Sequence, residues 1–77
     1  MYVYILYSES ISKYYVGFTK DVNERLRKHN AQHKGFTSKG QPWILIKSYQ
    51  VKDKAEAIQL EKKIKSRGAK RFLDEKL

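Results

Sequence analysis

The period of apolar and polar positions shifts along the chain, and each shift marks an element. Residues Tyr2 to Tyr7 (YVYILY) and Tyr14 to Phe18 (YYVGF) are aromatic and β-branched runs joined by the polar stretch Ser8 to Lys13, a pattern that predicts a β-hairpin. In the first run Tyr2, Tyr4 and Leu6 share one face and Val3, Ile5 and Tyr7 the other, so this strand is expected at the centre of a sheet with both sides covered. After Thr19 the spacing becomes helical: Asp21 with Glu24 gives a capping-box-like start, Val22 and Leu26 lie one turn apart, and Gly35 offers a stop. A helix over 21–33 follows. The segment 35–42 (GFTSKGQP) is turn-rich, and 43–51 (WILIKSYQV) alternates as a third strand. Asp53 with Glu56 repeats the capping signal for a helix over 54–66 that stops at Gly68, and a short terminal helix with Phe72, Leu73 and Leu77 closes the core.

Length and composition narrow the class. The 77 residues suit one compact domain spanning 1–77, at the small end of what folds unaided, without repeat, low-complexity segment or linker. The lack of cysteine excludes disulfide staples and thiolate metal sites and favours an intracellular protein. The opening MYVYILYSES has no basic flank, and no stretch nears the roughly 18 to 20 apolar residues of a membrane span, so a cytoplasmic protein with no membrane partner is expected.

Charge then points to a polyanion. Seventeen Lys and Arg against eight Asp and Glu give a net charge of +9, which repels the chain from itself unless it meets an opposite charge. No acidic residue falls between Glu24 and Asp53, where Arg25, Arg27, Lys28, Lys34, Lys39 and Lys47 lie, and a second basic cluster after Glu61 comprises Lys62, Lys63, Lys65, Arg67, Lys70 and Arg71. Nucleic acid, most simply DNA, is the expected partner, with Arg27, Lys28, Lys34, Lys39, Lys62, Lys65 and Lys70 as its contacts. A merely solubilising surface is the plain alternative.

Charge also intrudes on apolar faces. On a wheel of about 100° per residue, Ala57, Leu60 and Ile64 of the second helix form one arc with Ile58 beside it, and Glu61 falls in the gap between them. The nearby lysines point elsewhere or lie at the margin, so Glu61 is the one acid facing inward and needs a cation, either a Lys or Arg or a divalent metal. In the first helix Arg25 and His29 bracket the stripe of Val22 and Leu26, with His33 one turn on; they read either as an amphipathic border or as part of a site. The histidines lack the ligand spacing of a zinc site. Six tyrosines are many for this length, and Tyr4 and Tyr15 sit mid-strand, where a hydroxyl is either packed away or put to use.

Taken in order, paired aromatic strands, a helix with Arg25 and His29, and a helix with Glu61 resemble the GIY-YIG endonuclease superfamily over essentially the whole chain. Tyr2-Val3-Tyr4 stands where the family has Gly-Ile-Tyr, and Tyr15-Val16-Gly17 where it has Tyr-Ile-Gly; the stretch from Phe36-Thr37 to Pro42-Trp43 is typical of its small stand-alone bacterial members. The resemblance implies an α+β fold, a small three-stranded antiparallel sheet flanked by helices in the order β-β-α-β-α-α. It implies a metal-dependent DNA endonuclease in which Glu61 is the sole protein ligand of Mg²⁺ or Mn²⁺, the other ligands being waters and a phosphate oxygen. Arg25 would contact the scissile phosphate, His29 would assist by hydrogen bonding or proton transfer, one of the two tyrosines, Tyr4 in preference to Tyr15, would help deprotonate the attacking water, and Tyr15 would otherwise orient water or phosphate. The tail after Glu61 has no asparagine where several family nucleases carry one, so a supporting contact is either absent or replaced, with Lys70 as one candidate.

The expected activity is weakly sequence-specific and structure-selective, in repair or recombination, with contacts to phosphate rather than to bases. Two other readings stay open: a nucleic-acid-binding module on the same fold that does not cleave, or cleaves only with a protein partner supplying specificity, and a small basic RNA- or ribosome-associated protein.

Overall fold

The computed structural model describes residues 1–31 and 35–75, without the side chains of residues 36 and 37. The hairpin expected from the first two runs forms as β1 (Tyr2–Ser8) and β2 (Lys13–Thr19), and the third strand is β3 (Ile44–Gln50). The strands make one antiparallel sheet in the order β2-β1-β3, so the strand with two apolar faces is central. Val51 N–H donates to Met1 O at 2.9 Å and extends the β1–β3 ladder. Between Ile5 and Leu6 the register slips: Ile5 faces Lys47 and Leu6 faces Leu45, which leaves Ile46 unpaired.

Helices cover both sides of β1. On one side α1 (Val22–Ala31) packs Val22 and Leu26 against a cluster of Tyr4, Leu6 and Trp43. On the other, α2 (Lys54–Arg67) and α3 (Ala69–Glu75) supply Ala57, Ile64 and Phe72 to a cluster with Val3, Ile5 and Val16. Burying side chains such as Ile64 and Phe72 contributes about 1.5 to 3 kcal/mol each. Tyr49 meets Phe72 edge to face at 5.9 Å, tying α3 to β3. Leu77, expected in the core, lies outside the described residues. No helix among the described residues is long and apolar enough to cross a membrane.

Both capping signals are real, with one difference. Asp53 Oδ1 accepts Glu56 N–H at 2.9 Å while Glu56 Oε1 reaches back to Lys52 N–H at 3.0 Å. Asp21 Oδ1 accepts Glu24 N–H at 3.0 Å, but Thr19 Oγ1 already takes the Asp21 N–H at 3.2 Å. Glu24 therefore turns outward and pairs with Arg27 at 2.9 Å. Gly68 ends α2 with φ of +87°, a left-handed conformation that suits glycine and lets α3 start at the next residue.

Boundaries move at two places. The helix expected over 21–33 is described from Val22 to Ala31, and a 3₁₀ helix (Phe36–Gly40) occupies part of the turn-rich segment. Trp43, expected to open the third strand, stays outside it because its backbone is already taken. Its N–H donates to Asn30 Oδ1 at 2.6 Å and its carbonyl accepts from Asn30 Nδ2 at 3.1 Å, so the α1 side chain stands in for a neighbouring strand.

Candidate active site

Tyr4 is the inner end of the site. Its ring faces α1 and is 1 % exposed, a position that exists only because its cross-strand partner is Gly17. A Cβ on Gly17 would lie 2.7 Å from the Tyr4 hydroxyl oxygen. From α1, His29 brings Nε2 to 3.0 Å from that oxygen, and Arg25 lies close enough for its guanidinium to favour charge on it. The Tyr4 hydroxyl donates to Nε2 in the tautomer that carries the His29 proton on Nδ1 and accepts from Nε2–H in the other. His29 Nδ1 is itself a buried atom with no hydrogen-bond partner among the described residues.

The electrostatics agree with a neutral pair. Burial raises the Tyr4 pKa above the usual tyrosine value, and nearby Tyr15 and Glu61 add to this, against the lowering by Arg25. For His29, burial and the Arg25 charge lower the pKa. Tyr4 is thus a phenol and His29 an uncharged imidazole at neutral pH. Arg25 by itself does not hold Tyr4 as a phenolate.

Tyr15 completes the aromatic group. It is half-buried, with its ring centroid 4.6 Å from that of His29, 6.3 Å from Tyr4 and 6.2 Å from Trp43. Trp43 is 2 % exposed and backs this group; besides the Asn30 contacts, Gln41 Nε2 donates to the His29 carbonyl at 3.0 Å, tying the same loop to α1. Asn30 and Gln41 were not singled out from the sequence. The available signal was an asparagine near a helix end, a residue type whose side chain competes for backbone partners.

Glu61 comes from the opposite layer, on α2. Its side chain is 20 % exposed, and it is close enough to Tyr4 for its charge to act on the phenol. Of the two kinds of cation left open for it, a lysine is present: Lys65, one turn later, places Nζ 3.8 Å from Glu61 Oε2. Both residues sit on one helix face at i and i+4, where such pairs meet. Lys65 also lines a cavity of about 270 Å³ with Tyr14, Tyr15, Val16 and Ala69. Tyr14 and Tyr15 belong to opposite faces of β2, so this cavity wraps the open edge of the sheet, and around that edge the chemistry of the two layers meets.

Among the described residues no three His, Asp or Glu side chains cluster as a protein-made metal cage. A single, part-buried carboxylate of hard oxygen donors suits instead an ion that keeps most of its waters and takes phosphate as a further ligand, as Mg²⁺ and Mn²⁺ do.

The basic residues divide into paired and unpaired. Arg27 and Lys28 lie 2.9 and 3.9 Å from Glu24, and Arg67 and Arg71 both pair with Glu75. Lys39, Lys62 and Lys70 are exposed and make no ion pair among the described residues. Lys70 lines a second cavity, of about 620 Å³, with Tyr14, Gly68, Ala69, Arg71, Asp74 and Glu75, adjoining the first through Tyr14 and Ala69. His33 and Lys34 lie outside the described residues.

The chain matches the family model described as the GIY-YIG catalytic domain over residues 1–73. No curated protein and no solved structure matches it significantly. The match spans both aromatic strands and the helices that carry Arg25, His29 and Glu61, together with the three-stranded antiparallel sheet. The chain therefore belongs to the GIY-YIG family, whose catalytic domain is of the nuclease type.

Proposed function

We propose that this protein is a metal-dependent endonuclease that hydrolyses phosphodiester bonds in DNA, with Tyr4, Tyr15, Arg25, His29 and Glu61 as its catalytic set. The observation that carries the reading is the convergence on one hydroxyl: Tyr4 is hydrogen-bonded to His29, lies beside Tyr15, and feels the charges of Arg25 and, from the other side of the sheet, Glu61.

Arg25 binds the scissile phosphate and offsets charge that develops on it. Tyr4 takes a proton from the attacking water while passing its own to His29 Nε2, which avoids a standing phenolate that burial disfavours. Half-buried Tyr15 orients the water or the phosphate. Glu61 holds the Mg²⁺ or Mn²⁺, which when bound lowers the pKa of coordinated water and neutralises phosphate charge.

Lys39, Lys62, Lys65 and Lys70, with Arg27, Lys28 and Lys34, grip the sugar-phosphate backbone. Lysines and tyrosines read charge and stacking rather than base edges, which gives weak sequence specificity and leaves selection to the structure of the substrate. Work on branched or nicked DNA in repair or recombination, in the cytoplasm of a bacterium and with specificity supplied by a protein partner, fits this chemistry.

The test is cleavage of supercoiled plasmid and of a branched oligonucleotide by wild type and Glu61→Ala, with Mg²⁺, with Mn²⁺ and with chelator. Metal-dependent nicking by wild type alone supports the proposal. Salt-sensitive binding by both proteins, without cutting, would replace it with a non-catalytic DNA- or RNA-binding module on the same fold.

A further inference from the structure

Lys65 stands where a metal-binding carboxylate has least use for a lysine. Its Nζ is 3.8 Å from Glu61 Oε2, yet its side chain is 57 % exposed against 20 % for Glu61. An ammonium and a divalent ion at the same carboxylate are alternatives, since each is drawn to the oxygens and repels the other. The pair is also easily parted, because an i to i+4 contact with an exposed lysine contributes little to stability. When released, the ammonium has a place to go. Lys65 already lines the cavity at the β2 edge with Tyr15, whose ring packs on the Tyr4–His29 pair.

We propose that Lys65 is a counter-ion switch: it neutralises Glu61 while the metal is absent and, once the metal takes the carboxylate, binds the phosphate of the substrate strand in the β2-edge cavity. The inference rests on the metal-dependent nuclease reading and deepens it. One consequence is coupling. The metal takes Glu61 and the nucleic acid takes Lys65, so each ligand removes the partner that competes with the other, and the two bind cooperatively.

The test uses the full chain without nucleic acid, titrated with Mn²⁺ and followed by electron paramagnetic resonance, in wild type, Lys65→Met, Lys65→Arg and Glu61→Gln. Methionine keeps an apolar stem at an exposed position, so the fold is retained. Removing one positive charge beside the ion should tighten Mn²⁺ binding about tenfold in Lys65→Met, whereas Lys65→Arg stays near wild type. Cleavage at saturating Mn²⁺ should move the opposite way, slower in Lys65→Met by about tenfold or more and partly rescued by arginine. If Glu61→Gln loses the ion but Lys65→Met binds it no tighter than wild type, the switch is wrong and the metal site stands. If Glu61→Gln binds Mn²⁺ like wild type, the site is not at Glu61 and both proposals fall.

Discussion

Replacing Gly17 by alanine tests whether the Tyr4 hydroxyl is held where the chemistry needs it. The added Cβ would lie 2.7 Å from the Tyr4 hydroxyl oxygen, 2.9 Å from Cζ and 3.2 Å from Tyr15 Cε1, where ordinary contact begins at 3.4 Å. The closest approach is therefore short by 3.4 minus 2.7, or 0.7 Å. Tyr4 has little room to retreat, being 1 % exposed and bonded to His29 at 3.0 Å. Overpacking of this kind costs about 1 to 3 kcal/mol, and for a domain of this size each kcal/mol lowers Tm by about 4 to 8 °C. The hydroxyl must shift by a fraction of an ångström, and a misplacement of about 1 Å can cost roughly a hundredfold in rate. Thermal unfolding and single-turnover cleavage read the two effects. The control is Tyr4→Phe, which removes the oxygen and with it the closest contact. In that background Gly17→Ala should cost less, with a coupling of at least about 0.5 kcal/mol. A Gly17→Ala protein as stable and as fast as wild type, or one equally destabilised with and without the Tyr4 hydroxyl, would refute the reasoning.

Three further perturbations address the neighbours of Tyr4. Arg25→Ala removes a donor aimed at the site, so cleavage should fall by about 10² to 10³ and binding of an uncleaved oligonucleotide should weaken, while the Tyr4 phenol, deprived of its lowering partner, ionises at still higher pH in a spectroscopic titration. His29 is buried neutral and its folded pKa lies below the unfolded value of about 6.5. Between the two values the unfolded chain binds more protons, so stability is full above about pH 6.5 and declines as pH falls toward the folded pKa, with a slope of at most about 1.4 kcal/mol per pH unit. Urea denaturation across pH 5 to 7 should show this slope in wild type, roughly, and His29→Gln should flatten it. Asn30→Ala removes two hydrogen bonds to the Trp43 backbone and should cost about 1 to 3 kcal/mol, with a matching loss of cleavage as Trp43 loosens behind Tyr15; unchanged unfolding would mean that the two hydrogen bonds carry no weight.

The sequence was most legible where a local pattern sets the outcome. Two apolar faces on Tyr2–Ser8 require a central strand, and Asp21 and Asp53 cap the helices that follow. The candidate site was half legible. Arg25 and His29 stand out on a helical wheel as charge beside an apolar stripe, and they do reach Tyr4. Long-range partnerships were not legible: periodicity says which face a side chain is on, not what lies across the gap. Asn30 thus looked like ordinary helix surface, although it bonds a backbone thirteen residues away. That Lys65 is the cation beside Glu61 was left open for a different reason. A wheel assigns each residue an angle but ignores the length of a lysine stem, which swings back over a neighbour one turn earlier.

The meeting of two layers around β2 has a consequence for how the protein opens. Glu61 belongs to the layer of α2 and α3, and Arg25 and His29 to that of α1, so neither layer alone holds the whole of the proposed catalytic set. A fluctuation that lifts α2 from the sheet would disarm the site while leaving the hydroxyl, guanidinium and imidazole together. Substrate and metal, by bridging the two sides, would act as a clasp across the open edge. Backbone amide exchange in α2 and β2 should then slow on ligation more than in β3, at the far edge of the sheet, which the clasp does not touch.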